Sequence, residues 1–255
     1  MIDLHCHIIP GIDDGAKNDE VFLEMARIAM EDGISTIIAT PHHSRTYDNK
    51  IEDVRAMVEL YNKLLKRKNM KLNIIAAQEI HIRKDLIKRL DDKEISTIGN
   101  TSYMLIELPF DKLPDFAIDI IYELRIRGIT PIIAHPERYD YVIKDVTILN
   151  KFIEEGCLFQ VNAMSIRGEL GKKIKNTVEF LMKSNLVDFI ASDSHNETIK
   201  KPMIKDVINS VDDKTKNRVK KNMKNLFTNN YKISKHQIIE KEREGVLKRL
   251  KKKFF

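Results

Sequence analysis

Short apolar runs rich in β-branched residues alternate along the chain with stretches in which apolar positions recur every three or four residues. The first pattern is typical of buried strands, and the second of helices that pack one face against a core. The pattern predicts strands at Ile2–Leu4, Thr36–Thr40, Leu72–Ala77, Tyr103–Ile106, Thr130–Ala134, Cys157–Val161 and Val187–Ala191. It predicts helices at Asp19–Asp32, Ile51–Lys66, Phe116–Arg127 and Lys172–Ser184. In the first helix, the residues expected to share the buried face are Val21, Met25, Ile28 and Ala29.

Each predicted strand leads into a polar cluster, and the strand ends fall near residues 7, 42, 79, 107, 135, 162 and 193. Spacings of roughly 27 to 37 residues match one strand–helix unit of a parallel sheet. Seven such units without a linker between them predict an α/β fold, a closed parallel barrel one unit short of the standard eight. We expect residues 1–255 to form a single domain, with a basic C-terminal segment from about residue 217.

Charge is divided unevenly along the chain. The formal net charge of +6 and the pI of about 9.1 at first suggest a nucleic-acid-binding protein. Residues 217–255 contain 13 lysines and arginines against 3 acidic residues, whereas residues 1–216 carry a net charge of −4. The basic character therefore belongs to the C-terminal segment, and we expect no nucleic-acid partner. We expect this segment, His236 included, to be solvated or a frayed helix; weak contact with acidic lipid or an acidic partner is the alternative.

Several other classes of protein are disfavoured by residues that the sequence lacks. Cys6 and Cys157 are too few for a disulfide framework, and we expect Cys6 to be packed rather than catalytic. A cysteine phosphatase needs an arginine six residues after its nucleophile, but Ile12 and Ala163 stand at those positions. The sequence has no Gly-rich nucleotide loop and no H-E-x-x-H motif. Without a secretory signal or a run of about 18 apolar residues, we expect a cytoplasmic protein.

Histidines and carboxylates are concentrated at the predicted strand ends. His5 and His7 follow the first strand at positions i and i+2, so their side chains point the same way. Asp193 and His195 repeat this spacing after the last strand. The candidate metal ligands are His5, His7, Asp14, His42, Glu79, Glu107, His135, Asp193 and His195. Such a set suits two or three divalent cations if carboxylates bridge them.

Three further residues lie next to candidate ligands. Asp13 and Asp14 share the turn after the first strand, and the sequence leaves open which of them reaches a metal. His43 follows a candidate ligand directly, so we expect it to support the ligands or face the substrate rather than bind metal. His81 has the strand parity of the ligand two residues before it and is a weaker candidate of the same kind.

The charge of the predicted centre indicates its substrate. Three divalent cations against four carboxylates leave about +2, which suits a dianionic phosphate. Arg138 lies three residues after His135 and can fork onto phosphate oxygens. These features predict phosphoester hydrolysis, in which metal-activated water attacks phosphorus in line.

Seven motifs resemble those of the polymerase and histidinol phosphatase (PHP) family and, within it, of the bacterial CpsB/CapC-type protein-tyrosine phosphatases. They are HCHIIPGIDDG at 5–15, TPHH at 40–43, QEI at 78–80, IELP at 106–109, AHPER at 134–138, QVNA at 160–163 and SDSHN at 192–196. They cover residues 1 to about 205 in order, and the rest of the chain carries little of the resemblance.

The resemblance implies the PHP fold, a distorted (β/α)7 TIM-like barrel, with three divalent cations. Manganese is the expected metal, with iron, magnesium and zinc as alternatives. One ion would be held by His5, His7, Glu79 and Asp193, a second by Glu79, Glu107 and His135, and a third by Asp14, His42 and His195. Arg138 would bind phosphate. The implied substrate is phosphotyrosine on a membrane-associated bacterial tyrosine kinase that regulates capsule or exopolysaccharide synthesis.

One position departs from the family pattern. Family members have a second arginine before the proline that follows the last motif, whereas Lys201 precedes Pro202 here. Lysine keeps the charge but loses the bidentate fork. We therefore take Lys201 and His43, together with Arg138, as candidate catalytic residues. Two other functions stay open at this point: a small-molecule phosphatase of the histidinol-phosphate kind and a non-catalytic, metal-bound regulator of a kinase.

Overall fold

The computed structural model describes residues 1–99, 101–228, 233 and 236–240. Within them the strands are β1 (Ile2–Cys6), β2 (Thr36–Ala39), β3 (His42–His43), β4 (Asn73–Ala76), β5 (Glu79–His81), β6 (Tyr103–Glu107), β7 (Thr130–Ala134), β8 (Leu158–Asn162) and β9 (Phe189–Ala191). The longer helices are α1 (Asp19–Glu31), α2 (Ile51–Arg67), α4 (Ala117–Ile126), α8 (Lys172–Lys183) and α10 (Asp213–Asn225). The shorter ones are α3 (Leu86–Asp91), α5 (Asp140–Lys144), α6 (Asn150–Glu154), α7 (Ala163–Arg167) and α9 (Lys205–Ser210), with 3-10 turns at Pro136–Arg138 and Val146–Leu149.

All strand pairings within the two sheets are parallel, in the orders β1-β2-β4 and β3-β5-β6-β7-β8-β9. The predicted α/β class is therefore confirmed. The second and third predicted strands are each followed by a separate short strand, β3 and β5. Pro41 lies between β2 and β3, and it separates them because it has no N–H to donate to the sheet. Hydrogen bonds from Ala77 N to Ala39 O (2.9 Å) and from Glu79 N to Pro41 O (3.1 Å) join the two sheets across this break.

The first and last strands meet at their carboxyl ends. Asp193 N donates to His5 O at 2.9 Å, and His7 N donates to Ser194 O at 2.8 Å. Cys6 and Ser194 form a parallel bridge between them. Cys6 is fully buried, and burial raises the pKa of its thiol well above the ordinary value, in agreement with a packing role. The contact brings side chains nearly two hundred residues apart in sequence to one end of the strands.

Helix α1 shows how the sequence sets the outer layer. The Asn18 side chain accepts a hydrogen bond from Val21 N and so caps the first turn. The buried residues of this helix are Phe22, Met25, Ala26 and Ala29. The predicted face was therefore misplaced by about one position, because Val21 and Ile28 are only partly buried. The centroid of the Phe22 ring lies 4.5 Å from that of Tyr61 on α2, so the buried face of α1 includes Phe22.

The C-terminal segment is attached to the amino end of β9. Asp188, which precedes β9, accepts hydrogen bonds from Arg218 on α10 (Nε, 3.0 Å) and from His236 (Nε2, 2.6 Å). The His236 side chain is only 1% exposed, so the expectation that it is solvated was wrong. Residues 241–255, with the lysine-rich end of the predicted basic segment, lie outside the described residues. Among the residues that are described, no helix has the length and apolar character needed to cross a bilayer.

Candidate metal centre

Eight of the nine predicted ligands fall into three overlapping groups at the carboxyl ends of the strands. The groups are His7, Asp14, His42 and His195; His5, His7 and Asp193; and His42, Glu79 and Glu107. Within each group the candidate ligand atoms lie within 4.8 Å of one another. His135, the ninth, joins them through its Nε2, which is 3.0 Å from Glu79 Oε1 and 3.7 Å from Glu107 Oε1. The structure thus brings the whole predicted set together.

Two of these residues have a left-handed backbone conformation, which determines the direction of their side chains. His135 has φ = 31° and Asp193 has φ = 52°. Residues with a Cβ adopt this region at a cost of order 1–3 kcal/mol, and such residues are concentrated at functional sites. His135 directly follows β7 and Asp193 lies two residues after β9, so the sharp turn at each position directs the side chain over the strand ends.

The tautomers of the central imidazoles are set by hydrogen bonds on their far side. His5 Nδ1 lies 2.9 Å from Gln160 Oε1, and His7 Nδ1 lies 2.7 Å from Asp13 Oδ2. Because both partners are acceptors, each Nδ1 carries the proton and each Nε2 of a neutral ring presents a lone pair. These two Nε2 atoms face each other at 3.1 Å, and Glu79 Oε1 and Asp193 Oδ1 lie 3.3 and 3.4 Å from that of His5. Lone pairs and carboxylate oxygens converging in this way fit a shared cation.

Glu79 lies at the centre of the cluster. Its carboxylate is 1% exposed and is approached by His5, His42 (Nδ1, 3.0 Å) and His135. Burial alone would raise the pKa of this carboxyl, but the surrounding imidazoles hold it well below the ordinary value. Both oxygens face ring nitrogens, so each could contribute a ligand to a cation that those imidazoles would also hold.

Without cations, the His7 and His42 imidazoles hold protons near neutral pH. Burial lowers the pKa of His7, but hydrogen bonds to Asp13 and Glu79 outweigh it and raise this pKa to about 9. For His42 the bonds to Asp14 and Glu79 outweigh burial and raise the pKa to about 11. The pKa of His195 instead falls to about 3, through burial and then the charge of His7. The carboxylates beside His7 and His42 therefore favour positive charge on those two imidazoles in the absence of metal.

The structure separates the roles of Asp13 and Asp14. Asp13 accepts hydrogen bonds from His7 Nδ1, from Gly15 N (2.9 Å) and from His42 N (3.1 Å), so it fixes two imidazole-bearing segments. Asp14 instead has Oδ1 3.4 Å from His42 Nε2 and 3.5 Å from His195 Nε2. Asp14 is therefore the one that faces the candidate ligands.

Arg138 reaches the cluster from the turn after β7. Its Nη1 donates to Asp193 Oδ2 at 2.9 Å, and its side chain is 23% exposed. A partly exposed guanidinium beside a ligand carboxylate can reach an anion that approaches from solvent. This position agrees with the predicted contact to phosphate.

The other two candidate catalytic residues do not reach the cluster. His43 is buried, and its Nδ1 donates to Asn49 O at 2.9 Å while its Nε2 faces Arg89. Its neighbour along β3 faces the centre, and alternation along the strand turns His43 to the opposite side. Lys201 lines a cavity of about 310 Å³ with Glu24 and Glu197, beside α1. The contacts of these two residues do not favour a catalytic role.

Two residues that contact the candidate ligands were not predicted from the sequence to contribute to the centre. Gln160 and Asn162 lie on β8 two positions apart, and Gln160 Nε2 donates to Asn162 Oδ1 at 2.8 Å. Asn162 Nδ2 in turn donates to Asp193 Oδ2 at 2.6 Å. Their shared parity was the available signal, because positions i and i+2 of a strand place both polar side chains on the same face. His81 Nδ1 lies 3.3 Å from Glu107 Oε2 and supports that carboxylate, as the weaker expectation had it.

An open groove leads from the cluster to solvent. Its volume is about 740 Å³, and its lining includes His42, Tyr47, His81, Glu107 and Phe116. Tyr47 stacks on His42 with ring centroids 5.8 Å apart. The groove combines aromatic walls with exposed cationic side chains and has the size to admit an extended peptide.

The sequence is similar to that of a known protein family over most of its length. Residues 1–235 match the family described as capsular polysaccharide synthesis, CpsB/CapC. The chain belongs to the CpsB/CapC family. It is 40% identical over 197 residues to the tyrosine-protein phosphatase YwqE of Bacillus subtilis, covering 77% of this chain and 78% of that protein. It is 28% identical over 236 residues to the tyrosine-protein phosphatase CpsB of Streptococcus pneumoniae, covering 90% and 96%.

A solved structure of the same family superimposes closely. It comes from work on YwqE of Bacillus subtilis and CpsB of Streptococcus pneumoniae, which are described as metal-dependent tyrosine phosphatases. The TM-score is 0.88 at 33% identity, and the match covers 94% of this chain and all of the other, 100%. Membership of the CpsB/CapC family, which the seven motifs predicted, is therefore confirmed.

Proposed function

We propose that the chain is a metal-dependent protein-tyrosine phosphatase, folded as one catalytic domain on a distorted (β/α)7 barrel. The observation that carries the proposal is the pair of imidazole Nε2 atoms of His5 and His7, 3.1 Å apart and surrounded by the carboxylates of Glu79 and Asp193. The names of the relatives bear out the predicted tyrosine-phosphatase activity and its metal dependence, and the family description bears out the link to capsule synthesis.

The barrel interpretation is supported by the pairing of the strands. If β2 with β3 and β4 with β5 are counted as two interrupted strands, seven strand positions follow one another in parallel. The hydrogen bonds between the ends of β1 and β9 would close the ring. The parallel bridge between these two strands pairs Cys6 with Ser194, so closure by backbone pairing would lie at the carboxyl ends and make the barrel distorted.

The nine ligands divide into three sites in this proposal. His5, His7, Glu79 and Asp193 would hold one cation; Glu79, Glu107 and His135 a second; and Asp14, His42 and His195 a third. When bound, divalent cations would neutralise phosphate oxygens and lower the pKa of a water that attacks phosphorus. We propose manganese as the metal because the resemblance to the family implies it; the carboxylates of the donor set suit manganese, whereas its imidazoles suit iron or zinc equally.

The protein's own groups would bind and orient the substrate. Arg138 would donate to the phosphate oxygens with the guanidinium N–H groups that Asp193 does not occupy. Asp13 and Gln160 would keep the His7 and His5 rings in the tautomer that directs Nε2 to the centre. The leaving phenol has a pKa of about 10, so its departure depends less on a dedicated acid than that of an alkyl alcohol.

The substrate we propose is phosphotyrosine in a protein, on a bacterial tyrosine kinase that regulates capsule synthesis. A protein segment needs an open approach, and the groove beside His42 and Glu107 provides one. A small-molecule phosphatase would gain from an enclosed pocket that surrounds its substrate. The shape of the groove therefore favours the peptide.

A metal analysis combined with a two-substrate assay tests the function. The purified protein is analysed for bound metals and assayed with a phosphotyrosine peptide and with histidinol phosphate, with and without added Mn²⁺. We expect bound divalent metal and faster Mn²⁺-dependent hydrolysis of the peptide. Preference for histidinol phosphate would assign the chain to the small-molecule phosphatases, and hydrolysis undiminished after complete metal removal would refute the metal mechanism.

A further inference from the structure

An exposed aromatic ring lies beside the guanidinium of Arg138. Phe110 follows β6 by three residues, and its side chain is 39% exposed at the carboxyl ends of the strands. The Arg138 Cζ atom lies 4.9 Å from the centroid of this ring. That distance is within the range of a cation–π interaction, which is attractive through the ring quadrupole.

The Phe110 ring is itself held in place. It stacks almost parallel to the His135 imidazole, with an interplanar angle of 12° and centroids 5.6 Å apart. The Tyr139 ring lies 5.6 Å away at 60°. Phe110 O accepts a hydrogen bond from Asp140 N at 2.8 Å, which ties the loop after β6 to the segment that follows Arg138. The ring therefore has little freedom to leave the guanidinium.

Arg138 gains from such a support because its other restraint is a single hydrogen bond. Among the described residues, the guanidinium makes one hydrogen bond, from Nη1 to Asp193 Oδ2 at 2.9 Å. A single bond at the tip of a long side chain leaves the plane of the fork free to turn. Bidentate contact with a tetrahedral anion requires that plane to be fixed, and the loss on binding is smaller when it is fixed beforehand. The ring face of Phe110 supplies the second restraint.

We propose that Phe110 is a positioning residue that presets Arg138 for the phosphate group of the substrate. The inference rests on the phosphate-binding role proposed above for Arg138. Exposure of a large apolar side chain beside a polar centre is unfavourable on its own, and the contact with the guanidinium gives the ring a function there.

The test measures binding of inorganic phosphate to the Mn²⁺-loaded protein by calorimetry, together with KM and kcat for a phosphotyrosine peptide. Phe110→Leu keeps apolar volume but removes the ring, and we expect phosphate binding to weaken about 3- to 10-fold. KM should rise by a similar factor while kcat changes less. Phe110→Tyr keeps the π face and should stay within about twofold of the wild type. Phe180→Leu is the control, because Phe180 is 38% exposed on α8 and is not among the residues of the metal centre.

A double-mutant cycle decides whether Phe110 acts through Arg138. In an Arg138→Met background, Phe110→Leu should weaken phosphate binding no further. An equal loss in both backgrounds, or unchanged phosphate binding in Phe110→Leu with normal metal content, would overturn the inference. If Phe110→Leu lost metal or unfolded, the same cycle with Phe110→Met, which also removes the ring but keeps an apolar side chain, would decide. Failure of the wild type to hydrolyse the peptide would refute the proposed function separately, since phosphate binding is measured without turnover.

Discussion

The consecutive lysines Lys200 and Lys201 lie near different parts of the molecule, the metal centre and helix α1. The charge of Lys200 contributes to the lowered pKa of His195, after burial and the charge of His7, and Lys200 O accepts from His195 N at 3.1 Å. Lys201 lies instead beside Glu24 of α1. Lys200 is therefore the better placed of the two to attract a phosphate. The family pattern alone had selected Lys201.

We predict that Lys200→Met raises KM for a phosphotyrosine peptide about threefold, since a partly exposed charge contributes on the order of 0.2–1 kcal/mol. Lys201→Met serves as the matched control and should leave KM unchanged. Steady-state kinetics of both variants at one Mn²⁺ concentration provide the comparison. A larger KM effect for Lys201→Met would restore the assignment made from the sequence.

Asp13 acts on the metal centre without facing it. Its carboxylate is bonded to His7 Nδ1 at 2.7 Å and holds the backbone of His42. We predict that Asp13→Asn weakens Mn²⁺ binding about 10- to 100-fold, the usual effect of removing a carboxylate behind a ligand histidine. Titration with Mn²⁺ measures the change, with Asp91→Asn on the exposed end of α3 as the control. Unchanged affinity in Asp13→Asn would mean that the turn alone orients His7.

At the scale of elements, a buried carboxylate holds the C-terminal helix to the sheet. Asp188 is fully buried before β9 and is bonded to Arg218 of α10, to His236 and to Phe159 N (2.9 Å). Asn150 makes two further hydrogen bonds to the backbone of Ile239, at 2.9 and 2.7 Å. These contacts lie at the amino ends of the strands, away from the metal centre.

We predict that Arg218→Met lowers the free energy of unfolding by about 3 kcal/mol, because removal of one partner leaves a buried charge undercompensated. Metal content and kcat of the folded protein should stay unchanged. Urea unfolding measures the loss. Arg27→Met removes exposed ion pairs on α1 and should change stability little, since such pairs are screened by solvent. Equal effects of the two substitutions would show that Asp188 needs no partner on α10.

At the scale of the whole molecule, the centre joins elements from both ends of the chain. In the cation-free protein the pKa of His7, about 9, and that of His42, about 11, lie above the ordinary 6.5. The stabilisation from protonated His7 is then full below pH 6.5 and is lost as pH rises through about 9. Metal must displace these protons, so its binding competes with acid.

We therefore predict that Mn²⁺ affinity increases from pH 6.5 to 9, by roughly tenfold per pH unit for each proton released. Over the same range the metal-free protein, prepared with a chelator, should become less stable, whereas the stability of the Mn²⁺-loaded protein should change little. Calorimetric titrations and thermal unfolding at pH 6.5, 7.5 and 8.5 measure both trends. An affinity that does not vary with pH would contradict protonation of the cluster.

Local sequence determined seven of the strands, four of the longer helices and the identity of the candidate ligands. Apolar runs and polar ends are local features, and i, i+2 spacing fixes the common direction of His5 and His7. The end of a parallel strand is also where side chains from different units meet, so residues such as Glu79 and Glu107 could be assigned to one centre before any coordinates.

Only the tertiary structure decided which neighbour of each ligand takes part. Asp13 and Asp14, or Lys200 and Lys201, are equivalent in composition, and the difference between them comes from partners that are distant in the chain. The same holds for His236, whose burial depends on Asp188, and for Phe110, whose ring meets Arg138 only after β6 and β7 pair. Hydrogen bonds and ring contacts depend on distances of a few ångströms, and those distances are set by packing between elements rather than by sequence spacing.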